Sequence, residues 1–275
     1  MKDRYSIGEV SEICQISRKA LRYYDEIGLI PSRRDAENNY RFYTADALLA
    51  VPVIKYYKQM GFKLDEMKAL VRGNVYDTVK ERFELKIHEL ESARTELQRK
   101  YESVKAWHDL ILEAEQVIDN QICEVGVKFV EPADYLHMEQ AFDNRLKESI
   151  INLPFTQYVE EVRNQIIGPV MIHFPSREDR IHNRPQTIRI MQKTLGDSRE
   201  TLAFGGHTVL ACYHIGPHET IGTTYEKIQT WAEANRYTLS PDAHERYVTD
   251  HWTTREDSLF VTEVMIRARR PGTVC

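Results

Sequence analysis

Cysteine is scarce: the chain has four in 275 residues, at positions 14, 123, 212 and 275, with no C-x-x-C pair. So scattered a set excludes a disulfide framework and a zinc module, and reduced thiols are expected. Long apolar runs are missing too. The longest, Ala47 to Ile54, is interrupted by Pro52 and falls far short of the roughly 20 residues needed to cross a bilayer. No basic-then-apolar leader opens the sequence, so a cytoplasmic location without membrane association is expected. G-x-S-x-G, H-E-x-x-H, P-loop and dinucleotide fingerprints are all lacking, and no catalytic centre, metal or cofactor is expected. Glycine and proline are absent from 76–120, which leaves nothing to break a helix there.

What is present is enough for a folded chain. Hydrophobic residues make up 42%, and a length of 275 corresponds to about two domains at roughly 150 residues each. The net charge of −5 conceals an asymmetry. Residues 1–72 hold 13 Lys+Arg against 10 Asp+Glu, and the remainder 24 against 32. A surplus this small makes placement decisive, so nucleic-acid binding has to be argued locally.

In the basic front end, Ser6-Ile7-Gly8-Glu9 forms a capping box that starts a helix with Ile7, Val10 and Ile13 on its apolar stripe. Ser17 caps a second helix carrying Ala20, Leu21 and Tyr24, stopped by Gly28. That arrangement puts Arg18 and Lys19 in the second helix's first turn, where cations oppose the helix dipole and should meet something anionic. A helix-turn-helix sets the start of its second helix in the DNA major groove. Arg18, Lys19 and Arg22 could there reach phosphates or guanine edges, and Tyr23 and Tyr24 phosphates. For that helix alone, a solvated cationic face beside two core tyrosines is the competing reading. Pro31 to Tyr43 favours DNA: Asp35 to Asn39 is turn-forming, and Tyr40-Arg41-Phe42-Tyr43 alternates, so a basic hairpin with Arg33, Arg34 and Arg41 lies beside the basic helix as a wing. Thr44 caps a third helix toward Met60, which Pro52 should kink or divide, and Leu64 to Val71 repeats an amphipathic pattern.

Residues 5–70, through "YSIGEVSEICQISRKALRYYDEIGLIPSRRD", "NYRFYT" and "YKQMGFKLDEMKAL", resemble the winged-helix DNA-binding domain of the MerR family of transcription regulators. Ser17, Arg18, Lys19, Arg22, Tyr23, Tyr24, Arg33, Arg41 and Tyr43 are the expected contacts to double-stranded promoter DNA. Next in the chain, Phe83, Leu90, Leu97, Val104, Ile111 and Ile118 recur every seven residues, one face of a coiled coil. The companion positions are poorer: Ile87 and Tyr101 are apolar, but Arg94, His108 and Glu115 are not. A helix over 76–120 would extend about 68 Å, too far for one small domain to cover, so a second copy of the chain is expected. The resemblance implies an antiparallel homodimer, whose two-fold axis suits a palindromic operator.

Residues 121–275 contain a rough duplication of strand, helix, strand, strand. Pro154 opens one helix, with Phe155, Tyr158, Val162 and Ile166 on a stripe; Thr223-Thr224-Tyr225-Glu226 reads as a capping box for another. Thr208 to Ile215, Glu245 to His251 and Leu259 to Ala268 have strand character. "ACYHIGPHETIGTTYEKIQTWAEANRY" followed by "HERY" looks like the GyrI-like small-molecule-binding domain, which behind such a front end resembles the multidrug-binding subgroup of MerR regulators. An α+β multidomain chain is therefore expected: a winged helix-turn-helix over 1–74, a coiled-coil dimerisation helix over 75–120 and a GyrI-like effector-binding domain over 121–275.

Glu245, Tyr247 and Thr249 share one strand face. A buried carboxylate needs compensation, which a lipophilic cation stacked among aromatic rings would supply. The resemblance places Glu245 at a pocket floor, with Tyr247, Tyr135, Phe155, Tyr158, Phe204, Tyr225 and Trp252 as candidate walls. It also implies that effector binding shifts the dimer, bending and untwisting promoter DNA so that RNA polymerase engages both promoter elements. Two rivals are a metal- or redox-sensing regulator and a hydrolase. Cys123 lacks a nearby thiol and His214 with His218 reads as loop chemistry, which disfavours the first. The second would use Glu245 as a general base of raised pKa.

Overall fold

A computed structural model describes residues 2–36, 39–72, 76–162, 164–195 and 200–270. The expected domain boundary at 74/75, the hairpin tip at 37–38 and Cys275 lie outside those residues. The chain divides into two compact units, Met1–Glu96 and Leu97–Cys275.

In the first unit the local signals act as read. Strand β1 (Tyr5–Ser6) leads into α1 (Ile7–Cys14), where Ser6 accepts from the Glu9 backbone N–H and Glu9 accepts from that of Ser6 at 2.8 Å. Helix α2 (Arg18–Glu26) begins with the Ala20 N–H donating to Ser17 Oγ at 3.1 Å, and Gly28 follows it with φ of 69°. Strands β2 (Arg33–Arg34) and β3 (Arg41–Tyr43) pair antiparallel and β1 joins them, giving a three-stranded sheet in the order β1-β3-β2. Helices α3 (Ala45–Gln59) and α4 (Leu64–Arg72) complete the fold around Val10, Leu21, Leu29, Ile30, Val51 and Ile54. Pro52 does not divide α3. Its side chain faces solvent, while Leu48, Val51 and Ile54 anchor both flanking turns in one core, which offsets the lost backbone hydrogen bond.

Helix α5 (Tyr76–Asp119) runs unbroken for 44 residues. Phe83 packs with Phe62 and Tyr57 in the first unit; in the second, Leu110, Ala114 and Val117 pack with Val248 and Val261. The seven-residue stripe between is uncovered in the single chain: Leu97 is 69% and Val104 70% exposed.

The second unit adds β4 (Gly126–Val130), β5 (Ala133–Phe142), α6 (Leu146–Ile150), α7 (Leu153–Glu161), β6 (Ile166–Phe174), α8 (Arg177–Ile181), β7 (Gln186–Thr194) and β8 (Leu202–Phe204). Then come β9 (His207–Ile215), α9 (Gly222–Ala234), β10 (Thr238–Leu239), β11 (Ala243–Thr249) and β12 (Val261–Arg269). One sheet follows the order β4-β9-β12-β11-β6-β7-β5-β8, with β10 on β12. Its centre is symmetric: β5-β7-β6 and β9-β12-β11 are the same trio, joined where β6 meets β11. This is the duplication read from the sequence. Alternation sorts the side chains: Leu136, Ile172, Ile190, Val264 and Ile266 face helices α7 and α9, whereas Met171, Met191, Val209 and Met265 form a cluster on the other face. The expected capping box at Thr223 does not form. Helix α9 starts two residues earlier than that box would place it, at Gly222; Thr223 Oγ1 donates to the Thr220 carbonyl, and Thr224 Oγ1 lies 2.9 Å from His214 Nδ1.

Candidate functional site

Two sites, one per unit, carry the chemistry. On α2, Arg18 with Arg22 and Lys19 with Tyr23 stand four residues apart, so all four side chains share one exposed face at the helix's N-terminal half. The first turn contains no acidic residue. Arg33 and Arg34 are exposed on β2, and Arg34 donates to the Asn39 side chain at 3.3 Å. Helix and hairpin are clasped by Asp25, whose carboxylate accepts from the Ser32 N–H and hydroxyl, both at 2.7 Å, and pairs with Arg41 Nε at 3.1 Å.

Four of the expected DNA contacts change character. Tyr24 and Tyr43 are core residues, Tyr43 donating its hydroxyl to the Leu21 carbonyl, because the Leu21–Tyr24–Tyr43 face closes the unit's interior. Ser17 spends its oxygen on the helix cap. Arg41 is half-buried and held by Asp25. For Tyr24 and Tyr43 the core reading prevails, and Arg18, Lys19, Arg22, Tyr23, Arg33 and Arg34 form the accessible basic surface. Asp25 was missed because a lone acid at a helix end reads as surface.

In the second unit Glu245 of β11 is 0% exposed. Arg180 of α8 donates through Nε to Oε1 at 2.8 Å and through its terminal nitrogen to Oε2 at 3.2 Å. Tyr225 of α9 donates to Oε1 at 2.8 Å and Tyr247 to Oε2 at 2.6 Å. The Arg180 guanidinium also lies over the rings of Phe174, at 5.0 Å, and Phe142, at 5.9 Å. Burial pushes the Glu245 carboxyl up, but the Arg180 charge and the hydrogen bonds from Arg180, Tyr247 and Tyr225 outweigh it and hold the group below its ordinary range. The expectation of a carboxylate waiting for an external charge is thus corrected: the chain supplies its own cation, set against the rings of Phe142 and Phe174. Nothing in the sequence pointed to Arg180, which sits in the charged run "SREDRIHNR" and reads as a surface residue.

The expected aromatic wall separates into four groups. Tyr225 and Tyr247 hold Glu245; Phe155 and Tyr158 belong to the same helix-side core as Tyr247 and Phe142, with Tyr158 donating to Glu200 at 3.1 Å. Tyr135 and Phe204 lie on the opposite sheet face, their rings 6.0 Å apart, because Leu136 takes the helix side and alternation turns Tyr135 away. Trp252 is 62% exposed and packs on Trp107 of α5 at 4.3 Å. A groove of about 460 Å³ runs between α8 and α9, lined by Arg177, Ile181, Tyr225 and Gln229, so Tyr225 is shared between the groove and the Glu245 cluster.

A second polar network fixes α5 to the sheet. Arg246 of β11 pairs with Glu113 of α5 and with Glu263 of β12, Glu263 accepts from Lys128, and Tyr213 donates to Glu113 at 2.7 Å. His214 and His218 are apart in function: His214 is tied to Thr224 and to the Pro217 carbonyl, whereas His218 stacks on Phe260.

Residues 6–43 match the MerR family regulatory protein, and residues 146–269 the GyrI-like small molecule binding domain. The chain is 25% identical over 270 residues to the multidrug-efflux transporter 2 regulator of Bacillus subtilis (strain 168), covering 91% of each protein. It is 49% identical over 65 residues to the multidrug-efflux transporter 1 regulator of the same organism, covering 23% of each. Over 100 residues it is 34% identical to the HTH-type transcriptional regulator CueR of Escherichia coli, covering 34% of this chain and 73% of that one.

Proposed function

Because this chain belongs to the MerR family and carries a GyrI-like small-molecule-binding domain behind the DNA-binding head, we propose that it is a ligand-responsive transcription activator of the cytoplasm. It binds promoter DNA as a homodimer and senses lipophilic cations. The observation that carries the DNA half is the continuous exposed set Arg18, Lys19, Arg22 and Tyr23 at the start of α2, with no acid among them and Arg33 and Arg34 on the adjoining hairpin. Pairing of two α5 helices would cover Leu90, Leu97, Val104 and Ile111, which the single chain leaves exposed.

The cation half rests on Arg180. A guanidinium set against Phe142 and Phe174, on a buried carboxylate that Tyr225 and Tyr247 also hold, is an internal stand-in for a greasy cation. An effector entering by the groove between α8 and α9 replaces it and releases α8. Receptor chemistry suits the site better than catalysis, since a general base near neutrality needs a raised pKa and Glu245 is held low. Differential affinity of the effector for two dimer states then supplies the free energy for bending and untwisting the promoter under RNA polymerase.

The test uses the full-length protein with tetraphenylphosphonium as probe. Expected are a dimer, selection of a palindromic site from a random duplex pool, and phosphonium binding that Arg180→Met strengthens about tenfold, equivalent to about 1.4 kcal/mol. A monomer that prefers no sequence overturns the DNA reading; phosphonium binding indifferent to Arg180→Met overturns the cation site.

A further inference from the structure

A cluster outside both sites joins the two halves of the sheet on the face away from α7 and α9. His173 of β6 and His244 of β11 are direct cross-strand partners in the antiparallel ladder, at the seam between the repeated trios. Their rings stand 4.6 Å apart. Asp242, two residues before His244 and hence on the same side of the chain, brings Oδ2 within 3.2 Å of His173 Nε2. One ligand atom from each of the three residues lies within 4.8 Å of the others.

We propose that His173, Asp242 and His244 form a binding site for one divalent transition-metal ion, such as zinc or cobalt(II), that bridges the two halves of the effector domain.

Ligand chemistry selects the class: two imidazoles and one carboxylate suit zinc, cobalt or nickel, whereas calcium and magnesium require mainly oxygen ligands. In a tetrahedral zinc site the ligand atoms are about 3.4 Å apart, for bonds of about 2.1 Å. The His173–Asp242 pair already has that spacing at 3.2 Å, and a turn of the His244 ring closes the third ligand. Among the described residues neither ring nitrogen of His244 has a hydrogen-bond partner, although the ring is packed against Phe204 at 4.3 Å. Such an imidazole keeps a lone pair to offer.

The charges facing the cluster are Arg189, cross-strand neighbour of His173 and paired with Glu139, and Arg267, whose terminal nitrogen lies 3.4 Å from His207 Nδ1. Three protein ligands leave at least one coordination position for water or a small donor. The residues come from positions 173 and 242–244, so no spacing motif reveals them; only the β6–β11 register does.

Tag-free full-length protein is stripped with chelator and titrated with cobalt(II), then with zinc. Expected are one ion per chain, a d–d absorption band without thiolate charge transfer, displacement by zinc, and a rise in melting temperature with zinc occupancy, since the ion ties the two halves in the folded state alone. Asp242→Asn and His244→Gln should each weaken cobalt binding tenfold or more, with circular dichroism of the metal-free variants unchanged. Should either variant fail to fold, His173→Gln takes its place in the same titration. Binding that survives these substitutions, a thiolate band, or no binding in the hundred-micromolar range overturns the site.

Discussion

His218 is buried against Phe260, the two rings stacked at 4.9 Å, and burial pushes its imidazole down to about 4. An unfolded chain takes up that proton near pH 6.5, while the folded chain refuses it until about pH 4. Between those values the unfolded state binds more protons, so stability falls as pH falls, by on the order of 3 kcal/mol in all. Thermal melts at about pH 7 and about pH 4.5 should show this loss, and His218→Gln should reduce it. Glu245 acts in a lower window. Its folded pKa is depressed, so its contribution is present above the ordinary carboxylate range and is lost only as pH drops through the lower folded value. Removing its charge is harsher than acid: Glu245→Gln leaves the Arg180 guanidinium buried without a counter-ion, at a cost of about 3–5 kcal/mol. Urea melts should find that Glu245→Gln with Arg180→Met is more stable than Glu245→Gln alone; equal stability would show that the pair is not coupled.

Helix α5 is legible in the sequence because its cause is local and repeated. Forty-four residues without Gly or Pro carry an apolar position every seven, and the helix persists through both units. Its exposed stripe is the element's liability in isolation and its use in a dimer. Val104→Asp sets a charge in the middle of that stripe, 70% exposed in the single chain. Sedimentation should then report a monomer with an unchanged melting temperature for the effector domain, and operator affinity should fall by a hundredfold or more as half-site cooperation is lost. Helix α2 makes a separate prediction. Arg22 has no role in the core, so Arg22→Ala should leave stability unchanged, weaken operator binding and lower the salt slope by about one. An unchanged slope would remove Arg22 from the phosphate contacts.

For the molecule as a whole, activation requires an effector to favour one dimer state. Bending a site of 20–30 base pairs costs about 1–6 kcal/mol, and a hundredfold preference of the effector for the activating state supplies about 2.7 kcal/mol. On the proposed mechanism the energies match in scale, so one effector per subunit covers most of that range. Transcription from a supercoiled promoter template should rise with tetraphenylphosphonium while operator affinity changes little. Arg180→Met, which opens the Glu245 site without effector, should raise basal transcription.

Some of this was settled by the order of residues alone. Capping by Ser6 with Glu9, by Ser17 and by Thr44 sets helix starts within a few neighbours, and the heptad stripe sets the long helix, because those forces act over one or two turns. The exposed Arg18–Lys19–Arg22–Tyr23 face follows from the same short-range periodicity. Thr223 misled because a tertiary bond from Thr224 to His214 outcompeted a local cap. An aromatic carries no mark of the sheet face it will take, so the sequence does not separate Tyr135 and Phe204 from Tyr247; strand register assigns them to the opposite side. Arg180 and Glu245 are 65 residues apart, and His173 and His244 meet only where β6 pairs with β11. Which charge neutralises which, and which imidazoles face each other, depends on long-range pairing that no local pattern encodes, so tertiary structure alone decided both.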